Sequence, residues 1–131
     1  MPIPQPFVRE AGAGPAVVCI HSNGSTSGQW RGLMDLLAGN YRVLAPDSYG
    51  SGKTAEWPSA SVIRLQDELD LLAPVFAGAG ESFALVGHSY GAAVALLAAL
   101  RHPGRVRALV LYEPTLFAVV DTQQSPPNGA D

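Results

Sequence analysis

The chain has 131 residues, one domain's worth, and is 47% hydrophobic but only 15% charged, a balance that supports a packed core and excludes disorder over most of its length. A net charge of −3 and a pI near 5.5 leave no basic footprint for nucleic acid or an anionic membrane. The single cysteine, Cys19, excludes an internal disulfide and any Cys₄ or Cys₂His₂ zinc site; neither a metal nor a cofactor is expected.

The N-terminal MPIPQPFVRE is broken by prolines and is no secretory signal. Residues 5–10 read as a weak strand closed by the turn-like Ala11-Gly12-Ala13-Gly14-Pro15. Ala16–Ile20 (AVVCI) is a continuous apolar run of buried-strand type. After a polar loop, Trp30, Leu33, Met34 and Leu37 fall at helical spacing, and Gly39-Asn40 closes that helix. Tyr41–Ala45 is a second buried strand, followed by the loop PDSYGSGKT. Ser61 is placed as N-cap of a helix with Val62, Leu65, Leu69 and Leu72 on one face, which Pro74 should kink or end. Ser82–Val86 is a third strand, Tyr90–Arg101 an Ala-rich helix and Val106–Tyr112 a fourth strand. The alternation predicts an α/β fold, a mostly parallel sheet with helices on both faces. Residues 1–117 form the expected domain, and 118–131, polar and rich in Pro and Gly, a disordered tail. The longest apolar stretch, residues 91–100, falls short of the roughly 20 residues a bilayer requires. A soluble, cytoplasmic protein is expected.

Gly87-His88-Ser89-Tyr90-Gly91 carries the strongest chemical signal. It is a G-x-S-x-G motif between a strand and a helix, the context in which such a serine is held on a tight turn. Gly87 and Gly91 would let strand and helix approach without a Cβ clash. The hydroxyl of Ser89 would then stand at the carboxyl end of the sheet, beside a helix N-terminus that favours developing negative charge. The backbone N–H of Tyr90 would face an oxyanion. A second loop, His21-Ser22-Asn23-Gly24, follows the neighbouring strand. By position its Asn23 amide would be the other oxyanion donor, with Ser22 or Gly24 as alternatives; read blandly, it is a connector to a helix capped by Ser27.

Other features read as structural. Gly50-Ser51-Gly52-Lys53-Thr54 ends like a phosphate-binding loop, but Asp47 stands where that pattern needs glycine, and no helix follows directly. Cys19, Trp30 and Met34 read as core residues.

The landmarks VVCIHSNGSTSGQW, RVLAPDSYGSGKT and FALVGHSYGAAVALLAALRHPGRVRALVLYEP, over residues 15–117, resemble the N-terminal half of an α/β-hydrolase-fold protein. The resemblance implies strands three to six of that fold, with Ser89 as nucleophile and Asn23 and Tyr90 at the oxyanion-hole positions. Asp47, Gly50 and Gly52 resemble a structural D-x-x-G-x-G turn. Ser22 departs from the family's His-Gly loop. The family's acid and histidine, and its cap, come later than this chain extends, so the fold is expected to be truncated. Of the histidines present, His88 should point away from Ser89, His102 lies at the far end of a helix, and His21 is nearest but supports the loop in the family. Some members place their acid where Glu113 stands, though Glu113 also reads simply as the residue opening the next loop.

The expected function is that of a serine hydrolase acting on ester-like bonds of a small-molecule substrate. Serine at position 89 disfavours the family's dehalogenase and epoxide-hydrolase members, which use aspartate. The alternative is a non-catalytic fragment or an interaction half-domain. The apolar strand Val106–Tyr112, with Arg107 as its single charge, is expected to be an open edge through which the chain self-associates.

Overall fold

Among the described residues, five strands build the sheet, most of them aliphatic. The computed structural model describes residues 2–114; the expected tail lies outside them. The strands are β1 (Val8–Ala11), β2 (Ala16–Ile20), β3 (Arg42–Pro46), β4 (Phe83–His88) and β5 (Val106–Tyr112). The helices are α1 (Arg31–Leu37), entered through a 3-10 turn at Ser27–Trp30, α2 (Leu65–Gly78) and α3 (Tyr90–Arg101). The strand order is β1-β3-β2-β4-β5. Only β1 is antiparallel, with Val8 opposite Pro46 and Ala11 opposite Val43; the other pairings are parallel.

The pleat of β2 shows why its sequence is apolar throughout. Successive side chains point to opposite faces, and all five residues are buried. Ala16, Val18 and Ile20 join α2 and α3 in the larger core, with Phe76, Phe83 and Leu85. Val17 and Cys19 face the other way, onto Trp30 and Met34. The sheet is thus covered on both faces, as expected. Burial pushes the Cys19 thiol up to about 12, so it stays an inert core group.

The start of α2 differs from expectation. Ser61 does not cap it, and Val62 is exposed at 86%. The helix begins at Leu65, where the Asp67 carboxylate turns back to accept from the Arg64 backbone N–H at 2.8 Å and pairs with its guanidinium. Ser61 instead accepts the Trp57 indole N–H on its carbonyl. Pro74 also neither ends nor delimits α2, which continues to Gly78. Pro74 lies on the exposed side, so water can serve the carbonyl its missing N–H leaves behind. Leu71 and Leu72 before it and Val75 and Phe76 after it are buried, and their packing keeps the helix continuous.

β5 pairs only with β4 and forms the sheet's edge among the described residues, with Val110 and Tyr112 more than half exposed.

Because Pro74 costs α2 a hydrogen bond without packing benefit, Pro74→Ala should stabilise the chain by about 1–2 kcal/mol. Urea unfolding of the two proteins measures the difference; an unchanged or lower midpoint would contradict this account.

Candidate active site

Ser89 sits between the last residue of β4 and the first of α3, at φ 56° and ψ −116°. For a residue with a Cβ this is a strained conformation. Its surroundings explain why glycine flanks it two places either side. A Cβ on Gly87 would lie 2.5 Å from the Gly91 carbonyl oxygen and 2.7 Å from Ala92 Cα. A Cβ on Gly91 would lie 2.3 Å from the Ile20 oxygen and 2.4 Å from that of His21. The first turn of α3 is therefore pressed onto both β4 and the end of β2. The pairing of Ile20 with Gly87 brings the loop after β2 beside this turn. Asn23 stands exposed in that loop, in a turn closed by the Ser25 N–H on the Ser22 carbonyl.

Gln29, which the sequence reading passed over, ties the two loops together. Its Oε1 accepts from the Ser22 N–H at 2.9 Å and from the Ser22 hydroxyl at 3.3 Å. Its Nε2 donates to His88 Nδ1. His88 Nε2 in turn donates to Glu113 Oε1 at 3.1 Å, and the ring stacks on Tyr112. A polar chain thus runs along the carboxyl edge of the sheet, from the loop after β2, past the serine turn, to the end of β5. Thr26, not Ser27 as expected, caps the 3-10 turn, its hydroxyl accepting from the Gly28 N–H at 3.1 Å. A glutamine inside that turn carries no sequence signal of this role, because its partners lie on other elements.

The three histidines are placed as follows. His21 is buried; its Nδ1 donates to the Ser22 carbonyl at 2.7 Å and its Nε2 accepts from the Ser48 N–H at 3.0 Å. Both nitrogens are engaged in holding two loops together. Burial pulls its pKa down against the opposing Ser22 bond and the Asp47 charge, so it stays neutral. His88 is also bonded at both nitrogens, toward the Gln29 side. His102 packs on Phe76 and Phe83, beside the start of β4 and so at the opposite end from Ser89. None of the three is set as a base for the serine. Glu113, at φ 45°, lies at the strand end level with Ser89 and is committed to His88.

Asp47 is the hub beneath the loop after β3. Its carboxylate accepts from the Ser27 N–H at 2.7 Å and the Lys53 N–H at 3.0 Å. A Cβ on Gly52 would lie 2.3 Å from Asp47 Oδ2. The GSGKT segment therefore wraps its own chain's carboxylate. Lys53 lies over the Phe7 ring, 4.8 Å from its centroid. Burial would raise the Asp47 carboxyl, but the Lys53 and Ser27 donors outweigh it and hold it below the usual range. Among the described residues no cluster of His, Cys, Asp and Glu forms a metal cradle, and no helix is long and apolar enough to cross a membrane.

The α/β hydrolase fold family model matches residues 15–130, and the chain belongs to that family. It is 40% identical over 104 residues to an epoxide hydrolase of Caballeronia sordidicola, covering 78% of this chain and 32% of that protein. To a 2-hydroxymuconate semialdehyde hydrolase of a Pseudomonas species it is 37% identical over 116 residues, covering 79% of this chain and 38% of the relative. An α/β hydrolase from Sphaerobacter thermophilus superimposes with a TM-score of 0.73 at 28% identity, over 83% of this chain and 41% of that one. The chain thus spans about a third to two-fifths of the length of these hydrolases.

Two depressed pKa values set an acid limit on this site. For His21 and Asp47 alike, the lowered folded-state pKa stabilises the fold above the unfolded value and loses that contribution as pH falls. Stability should therefore decline from about pH 6.5 downward as His21 must protonate, and again in the carboxylate range. Asp47→Ala, which orphans the buried Ser27 N–H and frees the part-buried Lys53 N–H, should cost about 3 kcal/mol at neutral pH and flatten the more acidic step. Thermal melts from pH 3 to 8 on both proteins test this; equal acid profiles would sink it.

Proposed function

We propose that the chain carries the nucleophile and oxyanion donors of a serine hydrolase acting on ester or related acyl bonds of a small molecule. The observation that carries this reading is Ser89, held at φ 56° between β4 and α3 by contacts that leave Gly87 and Gly91 no room for a Cβ. Ser89 Oγ attacks the acyl carbon, and its proton passes to a histidine. The developing oxyanion is met by the backbone N–H of Tyr90 and by that of Asn23. The tetrahedral intermediate collapses, the leaving group takes the proton, and water then hydrolyses the acyl-enzyme. Because His21 and His88 are bonded at both nitrogens and His102 lies at the other end of the sheet, histidine and acid come in this reading from outside the described residues. No metal or cofactor takes part in these steps.

The experiment fuses this chain to the C-terminal part of a hydrolase relative and follows p-nitrophenyl ester hydrolysis. Turnover should appear in the fusion, be lost in Ser89→Ala, and be absent from the chain alone. Turnover retained in the Ser89→Ala fusion would overturn the assignment. Gln29→Ala should lower kcat in the fusion by roughly 10-fold or more with little change in KM, since the loop bearing Asn23 would lose its tie to the serine turn.

A second reading rests on β5. Its exposed Val110 and Tyr112, on an edge that is unpaired among the described residues, favour strand-to-strand association between copies. The chain should sediment as oligomers, and Val110→Lys should shift it toward monomer; a wild-type monomer at 100 μM would contradict this.

A further inference from the structure

The contacts that run from Ser22 to Glu113 form a chain whose hydrogens fit in one arrangement. The Ser22 backbone N–H can only donate, and it does so to Gln29 Oε1 at 2.9 Å; the Ser22 hydroxyl meets the same oxygen at 3.3 Å. The Gln29 amide therefore turns its Nε2 to His88, where Nδ1 must accept. A neutral imidazole has one donor and one acceptor nitrogen, so the His88 proton sits on Nε2 and goes to Glu113 Oε1 at 3.1 Å. A carboxylate can only accept, which closes the chain at its other end.

The direction of this chain turns on the His88 ring. That ring is stacked on Tyr112, its partner across β4 and β5, with 4.7 Å between centroids. The Glu113 side chain is 70% exposed, so water can replace it as acceptor from Nε2. With the proton on Nδ1 instead, two donors would face each other and the Gln29 amide would have to reverse. Its NH₂ would then meet the Ser22 backbone N–H, which cannot accept. The Ser22 carbonyl accepts from His21 Nδ1 at 2.7 Å and from the Ser25 N–H at 3.2 Å, contacts that lie within residues 21–25. Those contacts shape the loop, whereas Gln29 and His88 tie it to the strand that leads into Ser89. His21 carries its proton on the opposite nitrogen, Nδ1, because its Nε2 accepts from the Ser48 N–H at 3.0 Å.

We propose that His88 is a positioning residue: with its proton on Nε2 it accepts from Gln29, fixes the sense of that amide, and so holds the loop bearing Asn23 beside the serine turn. The catalytic consequence rests on the Ser89 reading above; the proton arrangement does not. The ring acts through Gln29 on the placement of the Asn23 N–H, and an oxyanion donor works only where it is aimed in advance. What matters at position 88 is then one acceptor atom. Asparagine can place its Oδ1 where Nδ1 stands and keep the Gln29 contact. Phenylalanine keeps a ring to stack on Tyr112 but offers Gln29 no acceptor.

The test begins with ¹⁵N NMR of the histidine side chains in the whole chain near pH 8, which reads which ring nitrogen carries the proton. His88 should carry it on Nε2 and His21 on Nδ1. In Gln29→Glu a carboxylate oxygen would face His88 Nδ1, and that nitrogen should gain a proton. Amide hydrogen exchange then follows the loop: protection at Ser22 should fall at least several-fold in His88→Phe and return in His88→Asn, with the Ser48 amide unchanged in both. A role in packing alone predicts the reverse order, with Phe tolerated and Asn harmful. A wild-type His88 proton on Nδ1 would overturn the proposal, as would a bare Nδ1 in Gln29→Glu or equal Ser22 protection in the Phe and Asn variants. If His88→Phe does not fold, the wild-type proton position and its response to Gln29→Glu decide alone. In the active fusion, kcat should drop roughly 10-fold in His88→Phe with KM little changed, and largely recover in His88→Asn. Failure of the Ser89 reading would show as Ser89-independent turnover and leave the NMR and exchange results standing, so the two failures are separable.

Discussion

The approach of α3 to the ends of β2 and β4 constrains everything around Ser89. The helix starts so close to both strands that backbone carbonyls occupy the space where Cβ atoms at positions 87 and 91 would be. That closeness forces Ser89 to φ 56°, because the chain must reverse from strand to helix within one residue. Strain of this kind persists only where surrounding packing over-determines it. Here the packing is supplied by the buried face of α3, where Ala92, Ala93, Val94, Ala95 and Ala98 lie against the sheet and α2. Alanines suit that face because larger side chains would hold the helix away and relax the turn.

Around this apolar contact the polar groups are arranged as separate, largely satisfied sets. Asp47 gathers the loop after β3 and the start of the 3-10 turn; His21 joins the loops after β2 and β3; Gln29 and His88 span from the loop after β2 to β5. Buried polar groups without partners are costly, so each set also fixes geometry. The loops at the carboxyl end of the sheet can be polar and still well positioned because backbone N–H groups and side chains answer one another across elements. The exceptions among the described residues are one Glu68 carboxyl oxygen and the Trp30 indole N–H, both buried and unanswered.

What the sequence disclosed and what it hid follow from the range of the interactions. Strand β2 reads directly because all five of its side chains are buried and apolar. Helix α3 reads directly, to its first and last residue, because its pattern is uninterrupted and glycines mark its entry. The family resemblance rested on these same local runs. Val62 misled because an apolar residue at helical spacing before Leu65 need not be helical; the Arg64–Asp67 contact, not Ser61, starts the helix. Pro74 misled because local propensity argued for a stop, while buried Leu71, Leu72, Val75 and Phe76 on both sides outweighed it. Gln29 was invisible since its partner His88 is distant in sequence.

The same distinction of range bears on the chemistry. The backbone of Ser89 is fixed by atoms of residues 20, 21, 87, 91 and 92, all on two adjacent parallel strands, the loop after one of them and one helix. A segment about two-fifths as long as a solved relative therefore contains the contacts that shape the serine turn. A general base is a different requirement, because it must present an unoccupied ring nitrogen within hydrogen-bond reach of the nucleophile. His21 and His88 are near enough in the fold, yet each spends both nitrogens on joining loops. Freeing either would untie the loop that bears Asn23 from its neighbours. Near Ser89 the imidazoles of this segment serve geometry; in the function proposed above, proton transfer would fall to a histidine whose structural obligations lie elsewhere.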